Sequence, residues 1–287
     1  MQARLKEVES VNVYEIVTAE IIKKLESGTV PWRQPWVSKG AVSWNTQRPY
    51  RGINALLLEP GEYATFDAIQ AAGGHVKKGA KGHLVVFWKM QVGNETNEAG
   101  EIVTKTIPLL RYYKVFEINT QAEGLKSKRK DAETFTHDPI ESAEAIKQGY
   151  KNAPTIGFAP GRAYYRPSTD EISVPAMEDY KNPSEFYSTL FHEMTHSTGH
   201  SSRLGRLKTG EVAAFGSESY SKEELVAEIG AAMLCGKAGI VQETIDNSAA
   251  YVNSWLKRLR EDSRLIVTAS SQAQKAADYI LGEDEES

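Results

Sequence analysis

At 287 residues, with 40% hydrophobic and 25% charged residues, the chain has ordinary globular composition and enough length for two domains. Its single cysteine, Cys235, excludes an internal disulfide framework and sits in an apolar helical stretch that suits a buried thiol. The opening MQARLKEVESVNVYEIV is charged throughout, and no apolar run approaches the roughly 20 residues of a membrane span, so a cytoplasmic protein without a membrane partner is expected.

The net charge of −4 is unevenly spread: residues 1–130 hold 19 Lys and Arg against 13 Asp and Glu, and the rest hold 15 against 25. In the basic half, the periodicity predicts a helix over Val13–Leu25, stopped by Glu26-Ser27-Gly28. PWRQPWVSKGAVSW then places Trp32, Arg33, Trp36 and Trp44 close together, followed by Arg48, Tyr50 and Arg51. Prolines and glycines keep this segment irregular, so no single helix or strand buries the rings as a stripe. Aromatics interleaved with cations suit single-stranded nucleic acid: unpaired bases stack on rings at about 1–3 kcal/mol each while cations follow the phosphates. A second helix is predicted over Thr65–Ala72, ended by Gly73-Gly74. The glycine-containing turn after it offers Lys77, Lys78 and Lys81 as phosphate contacts, although a solvated turn is the commoner fate of such a segment. Leu84–Trp88 and Ile107–Phe116 read as strands separated by the turn-rich VGNETNEAGE. The polar stretch Asn119–Asp138, with Lys126, Lys128, Arg129 and Lys130, reads as an exposed linker.

In the acidic half, Tyr164–Pro175 reads as a hairpin around Pro-Ser-Thr-Asp, with Ile172–Val174 placed as an edge strand able to hold a substrate backbone or simply to cover the core. Next comes SEFYSTLFHEMTHSTGH, where Phe186, Leu190, Phe191 and Met194 recur at helical spacing. Two histidines four apart, His192 and His196, share one helical face and can bind one cation. Glu193 between them can act as general base toward water that a divalent metal acidifies to a pKa of about 7, which is metallopeptidase chemistry. Catalytic zinc usually takes three protein ligands, and the following helix, YSKEELVAEIGAAMLC, offers Glu224 and Glu228. Glu224 is preferred as third ligand, with Glu228 as acceptor for a histidine N–H; the reverse assignment stays open. Zinc is the expected ion, with manganese as the alternative. The arrangement resembles the gluzincin class. A metzincin site needs a histidine where this chain has Ser202, and His200 is two positions short. Tyr164, Tyr165 and Tyr220 have the chemistry of an oxyanion donor. A last helix near Asn247–Thr268 closes the core through Trp255, Leu256, Leu259 and Ile266, and the GEDEES end is expected to be disordered.

Together, VYEIVTAEIIKKLESGTVPWRQPW, RPYRGINALLL, GGHVKKGAKGHLVVFWK, YYRPSTDEISVP, FYSTLFHEMTHSTGHSSRL and FGSESYSKEELVAEIGAAML resemble the ArdC family of plasmid antirestriction proteins over roughly residues 12–236. The resemblance implies a single-stranded-DNA-binding N-terminal domain joined to a zincin-like domain, and protection of conjugatively transferred plasmid DNA from the recipient's restriction enzymes. The expected architecture is α+β in both halves: a small mixed DNA-binding domain over 1–125, a linker over 126–138, and a zincin-like, gluzincin-type metallopeptidase domain over 139–287. Three functions remain distinct. The first is a DNA-binding antirestriction factor with an active peptidase domain. The second is a peptidase acting on a host protein, with the N-terminal domain as a recruitment module. The third is a DNA-binding module whose metal is structural or regulatory.

Overall fold

The structure is a computed structural model that describes residues 12–27, 30–33, 40–96, 102–129, 139–159, 161, 163–207, 218–240 and 248–283; Arg33 and Tyr220 are described as backbone only. Helix α1 (Val13–Glu26) starts where the Asn12 side chain accepts from Tyr14 N–H, and buries Val17, Thr18, Ile21 and Leu25. There follow β1 (Ala41–Ser43), α2 (Ile53–Leu57), β2 (Gly61–Thr65), α3 (Phe66–Ala71, capped by Thr65), β3 (His75–Val76), β4 (His83–Thr96), β5 (Ile102–Glu117), α4 (Ile118–Gln121) and β6 (Ala122–Glu123). The main sheet has the order β1-β2-β5-β4.

Strands β4 and β5 form one antiparallel hairpin in unbroken register from His83↔Val115 to Thr96↔Ile102. Its first strand runs through Val92–Thr96, the first half of the segment read as a turn. Among its described side chains beyond Lys89, Met90–Val92 and Thr106–Pro108 are exposed on both faces, so the alternation that marks a half-buried strand is missing there.

The C-terminal half comprises α5 (Pro139–Gly149), β7 (Thr155–Phe158), β8 (Tyr164–Arg166), β9 (Glu171–Val174), α6 (Pro183–Ser197), α7 (Glu218–Ala238), α8 (Ser248–Glu261) and α9 (Leu265–Leu281). The hairpin expected around Pro167–Asp170 is present as β8–β9, but β9 is the central strand of three, parallel to β7 and antiparallel to β8. Both of its hydrogen-bonding sides are occupied, so Ile172–Val174 cannot add a substrate strand. The last helix is two helices, with the break at Asp262–Arg264, where the Asp262 carboxylate accepts from Arg264 N–H and closes a turn.

The largest apolar cluster joins the two halves. Val17, Ile21, Trp32, Leu56, Val86 and Leu110 pack in it with Leu225, Ile229, Trp255, Leu259 and Ile266. A polar seam reinforces it: Arg51 pairs with Asp278, and Gly52 N–H donates to Gln274 Oε1 at 3.0 Å. A second cluster lies under α6 and includes Ile172, Val174, Phe186, Leu190, Met194, Leu234 and Cys235.

The described part of Asn119–Asp138 is largely exposed, as a linker would be, but is tethered to the N-terminal fold. Fully buried Glu62 accepts from Ser127 Oγ, from Lys128 N–H at 3.1 Å and from Gln47 Nε2 at 2.8 Å, while Arg129 donates to Gly40 O and Gly61 O. Burial raises the Glu62 pKa, but these hydrogen bonds and the Arg129 charge outweigh it and hold the carboxyl below its ordinary range. The basic cluster that reads as solvated therefore partly serves to satisfy a buried carboxylate; residues 130–138 lie outside the described region.

Candidate metal centre and nucleic-acid interface

Helix α6 is built to deliver HExxH rigidly. Asn182 caps it by accepting from Glu185 N–H at 2.9 Å, Pro183 occupies the first turn, and Phe186, Leu190, Phe191 and Met194 are buried. Helix α7 crosses close by because residue 230 is glycine: a Cβ there would lie 2.5 Å from Thr195 Cγ2. That approach sets the distance between the histidines and the acids of α7.

Among the described residues, His192, His196 and Glu224 form a group able to hold a metal ion, with their ligand atoms within 4.8 Å of one another. The two Nε2 atoms are 3.1 Å apart, and the Glu224 carboxylate oxygens stand 3.5 Å from each of them. Donors about 2.1 Å from a tetrahedral ion would be about 3.4 Å apart, so the spacing and the two-imidazole, one-carboxylate set fit a divalent cation. Glu193 is buried beside them on α6.

His196 is oriented by an acid absent from the sequence-based expectation. Its Nδ1 faces Glu223 Oε1 at 3.4 Å, and Glu223 is held by Arg206, whose Nη2 donates to the same oxygen at 2.8 Å. Arg206 also donates to Thr198 Oγ1 and Thr195 O, tying the chain after α6 to α7. Glu228, expected in the orienting role, is half-buried one turn beyond Glu224. Burial opposes charge on His196, yet hydrogen bonds and charges from Glu223 and Glu224 push its pKa up to about 10. Burial likewise raises both carboxyls, and their histidine partners, with Arg206 for Glu223, outweigh it and hold them below the carboxylate range.

Of the tyrosines considered as oxyanion donors, Tyr165 donates its hydroxyl to Asp170 at 2.8 Å and Tyr164 accepts from Arg166, while the Tyr220 side chain lies outside the described residues. Burial chiefly raises the Tyr180 pKa, a hydrogen bond with Thr189 opposes it, and the charges of Glu193, Asp179 and Glu185 add to it. His200 stands apart from the metal group and pairs with Ser202 Oγ at 2.7 Å.

The expected DNA-binding residues are scattered by the fold. Trp32 is 0% exposed and packs edge-on against Trp255, with ring centroids 5.1 Å apart. Trp44 is 8% exposed; its Nε1 donates to Lys126 O, and Lys128 Nζ lies 3.7 Å from the ring centroid. Neither ring offers a face to a base, which corrects the stacking roles read for them. Arg51 is engaged with Asp278 and Lys77 with Thr120 O, whereas Arg48, Lys78 and Lys81 are exposed. Trp36 lies outside the described residues, as does the Arg33 side chain. Tyr50 is half-buried, edge-on to Tyr63 at 6.3 Å.

Two family descriptions match this chain: the N-terminal domain of anti-restriction factor ArdC over residues 11–116, and a zincin-like metallopeptidase over 141–272. Protein y4eC of Sinorhizobium fredii is 32% identical, the match covering 94% of this chain and 91% of that protein. DNA primase TraC of Escherichia coli is 33% identical over 93% of this chain, which spans only 20% of that protein's length. The crystal structure of Mn(II)-bound antirestriction protein ArdC from plasmid R388 superposes with a TM-score of 0.71 at 35% identity, covering 94% of this chain and 97% of that one. Its metal-free form gives 0.70 at 36% identity, covering 94% and 96%. The fold of this chain is thus mixed α and β with a zincin-like part, carrying a site for a divalent metal.

Proposed function

This chain belongs to the ArdC family of antirestriction proteins, and we propose that it binds single-stranded DNA entering the cell by conjugation and shields it from restriction enzymes, with a metallopeptidase-type site in its C-terminal half. The observation that carries the second element is the convergence of His192, His196 and Glu224 within 4.8 Å, with Glu193 buried beside them. Zinc suits two imidazoles and a carboxylate, and the Mn(II)-bound relative favours manganese as the alternative. A bound divalent ion supplies Lewis acidity toward a carbonyl and lowers the pKa of water.

The chain's own residues divide the remaining work. Glu193 accepts the proton of the attacking water on its carboxylate and returns it to the leaving amine. Tyr180 is the donor we assign to the developing oxyanion. Glu223, braced by Arg206, fixes the His196 ring, and Glu228 is the acceptor we assign to the other histidine. A host protein is the substrate class we assign to this site.

Coating of a single strand needs no base-specific reading, so protection follows from occlusion. Two measurements test this: a salt-dependent mobility shift of a labelled single strand, and survival of unmodified plasmid DNA in a restricting recipient. Glu193→Gln removes the base while sparing the ligands, and it is expected to retain metal, DNA binding and protection. Absence of single-strand binding in the unaltered protein overturns the proposal. Loss of protection in Glu193→Gln with binding intact assigns protection to proteolysis instead.

A further inference from the structure

The burial of Trp32 and Trp44 moves the question of stacking to the main sheet, whose two faces differ. Cross-strand partners in an antiparallel pair share a face. One face of the β4–β5 hairpin turns Val86 and Leu110 into the large core under α1; on it Trp88 and Tyr112 are also exposed, but Trp88 is engaged edge-on with Tyr14 at 6.4 Å. The other face carries Val85 opposite Tyr113, Phe87 opposite Arg111, and Lys89 opposite Leu109.

On that second face the rings form a continuous row. His83 and Tyr63 stand 5.4 Å apart, Tyr63 and Tyr50 6.3 Å, Tyr50 is hydrogen-bonded with Tyr113, and Tyr113 and Phe87 lie 5.7 Å apart with planes tilted 58°. The inner end is core, since Tyr63, Val85 and Val115 pack together with Ala41 and Leu58. The outer end is open: Tyr113 is 37% and Phe87 43% exposed, and the cations Lys89 and Arg111 beside them are exposed too. Rings anchored at one end and bare at the other, with two cations along the same face, are the interleaving that the Trp-rich segment mimics only in sequence.

We infer that this outer face is the platform on which single-stranded DNA stacks, with bases on Phe87 and Tyr113 and phosphates on Arg111 and Lys89. The inference rests on the single-strand reading proposed above and gives it a location. Charge complementarity favours a polyanion over a second copy of this chain, because two such faces would bring Lys89 and Arg111 against their own counterparts. Rings standing off a sheet favour unpaired bases, since duplex bases are already stacked on one another.

The full chain is titrated against a labelled oligothymidylate by fluorescence anisotropy, with sedimentation in parallel. Phe87→Ala and Tyr113→Ala are each expected to weaken binding about 5- to 150-fold, the change that loss of one stacked base at about 1–3 kcal/mol produces. Arg111→Ala is expected to lower the slope of log K against log salt by about 0.7, one phosphate contact on a single strand. Phe158→Ala, which removes an exposed ring from β7, serves as the control and is expected to leave binding unchanged. These side chains are exposed, so the melting temperature is expected to hold, and it verifies folding. If the unaltered protein binds the strand and the Phe87, Tyr113 and Arg111 variants bind equally well, the platform is overturned while the single-strand reading stands. Absence of binding in the unaltered protein sinks that reading itself. Equal affinity for duplex, or a change of oligomeric state with unchanged affinity, also overturns the platform.

Discussion

The metal centre and the nucleic-acid face are both assemblies of a few side chains, but they are assembled differently. His192, Glu193 and His196 sit on one helix at spacings that fix their relative positions, and Glu224 needs one further helix at a distance set by Gly230. The exposed rings of Phe87 and Tyr113 meet across a hairpin whose length and register had to form first. Chemistry carried by helical period survives translation from sequence to space, whereas chemistry inferred from local crowding does not: Trp32 and Trp44 are neighbours in the chain and occupy separate cores.

The largest expected effect tests that distinction. Trp32→Ala removes a fully buried indole packed on Trp255 and is predicted to cost about 3–5 kcal/mol of folding free energy, a large share of the ~5–15 kcal/mol a domain has. Denaturant unfolding measures the loss. Under conditions where the variant remains folded, its single-strand affinity should equal that of the unaltered protein. Weakened affinity with unchanged stability would restore Trp32 to the binding surface and remove the contrast.

What was legible follows the range of the interaction. Helices α1, α3 and α6 could be read because periodicity and caps are local; Asn12, Thr65 and the Pro183 start mark their beginnings. Glu223 was hidden beside Glu224, because only Arg206 and His196, distant in sequence, distinguish the two carboxylates. The central position of β9 was hidden because its partner β7, Thr155–Phe158, has two exposed residues in four and little strand signature. The hairpin arm was read as a turn because strands without a covered face lose the alternation that identifies strands.

A middle-sized effect probes how far the metal site depends on something beyond its helical spacing. Gly230→Ala places a methyl group 2.5 Å from Thr195 Cγ2 on α6, so the two helices must separate or Thr195 must turn. Overpacking of this kind costs about 1–3 kcal/mol. Glu224 lies on one of these helices and the histidines on the other, so separation of the pair should lower Mn(II) and Zn(II) affinity by calorimetry. Pairing the change with Thr195→Ser, which removes the obstructing methyl, should recover part of it. Undiminished metal affinity in Gly230→Ala would mean that Glu224 is not held in place by this crossing.

The smallest effect concerns the brace around the site rather than the site. Asp170, in left-handed backbone with φ of 48°, accepts from Tyr165 and pairs with Arg203, whose Nε also donates to Ser197 O at 2.7 Å just past HExxH. The Arg203 hydrogen bonds chiefly, against some opposing burial, depress the Asp170 pKa. A carboxyl whose pKa is lower when folded stabilises fully above its unfolded value of about 3.9 and loses that contribution as pH falls through the folded value. Asp170→Asn is therefore predicted to melt below the unaltered protein at pH 6, with the gap narrowing only as pH falls below about 3.9 toward the depressed folded value. Glu62, Glu144 and Glu223 are also depressed and remain in both proteins, so both still lose stability in acid and only the difference reports Asp170. A gap independent of pH would assign the loss to altered hydrogen bonding with Arg203 and Tyr165 instead of to charge, since asparagine tolerates the left-handed backbone equally well.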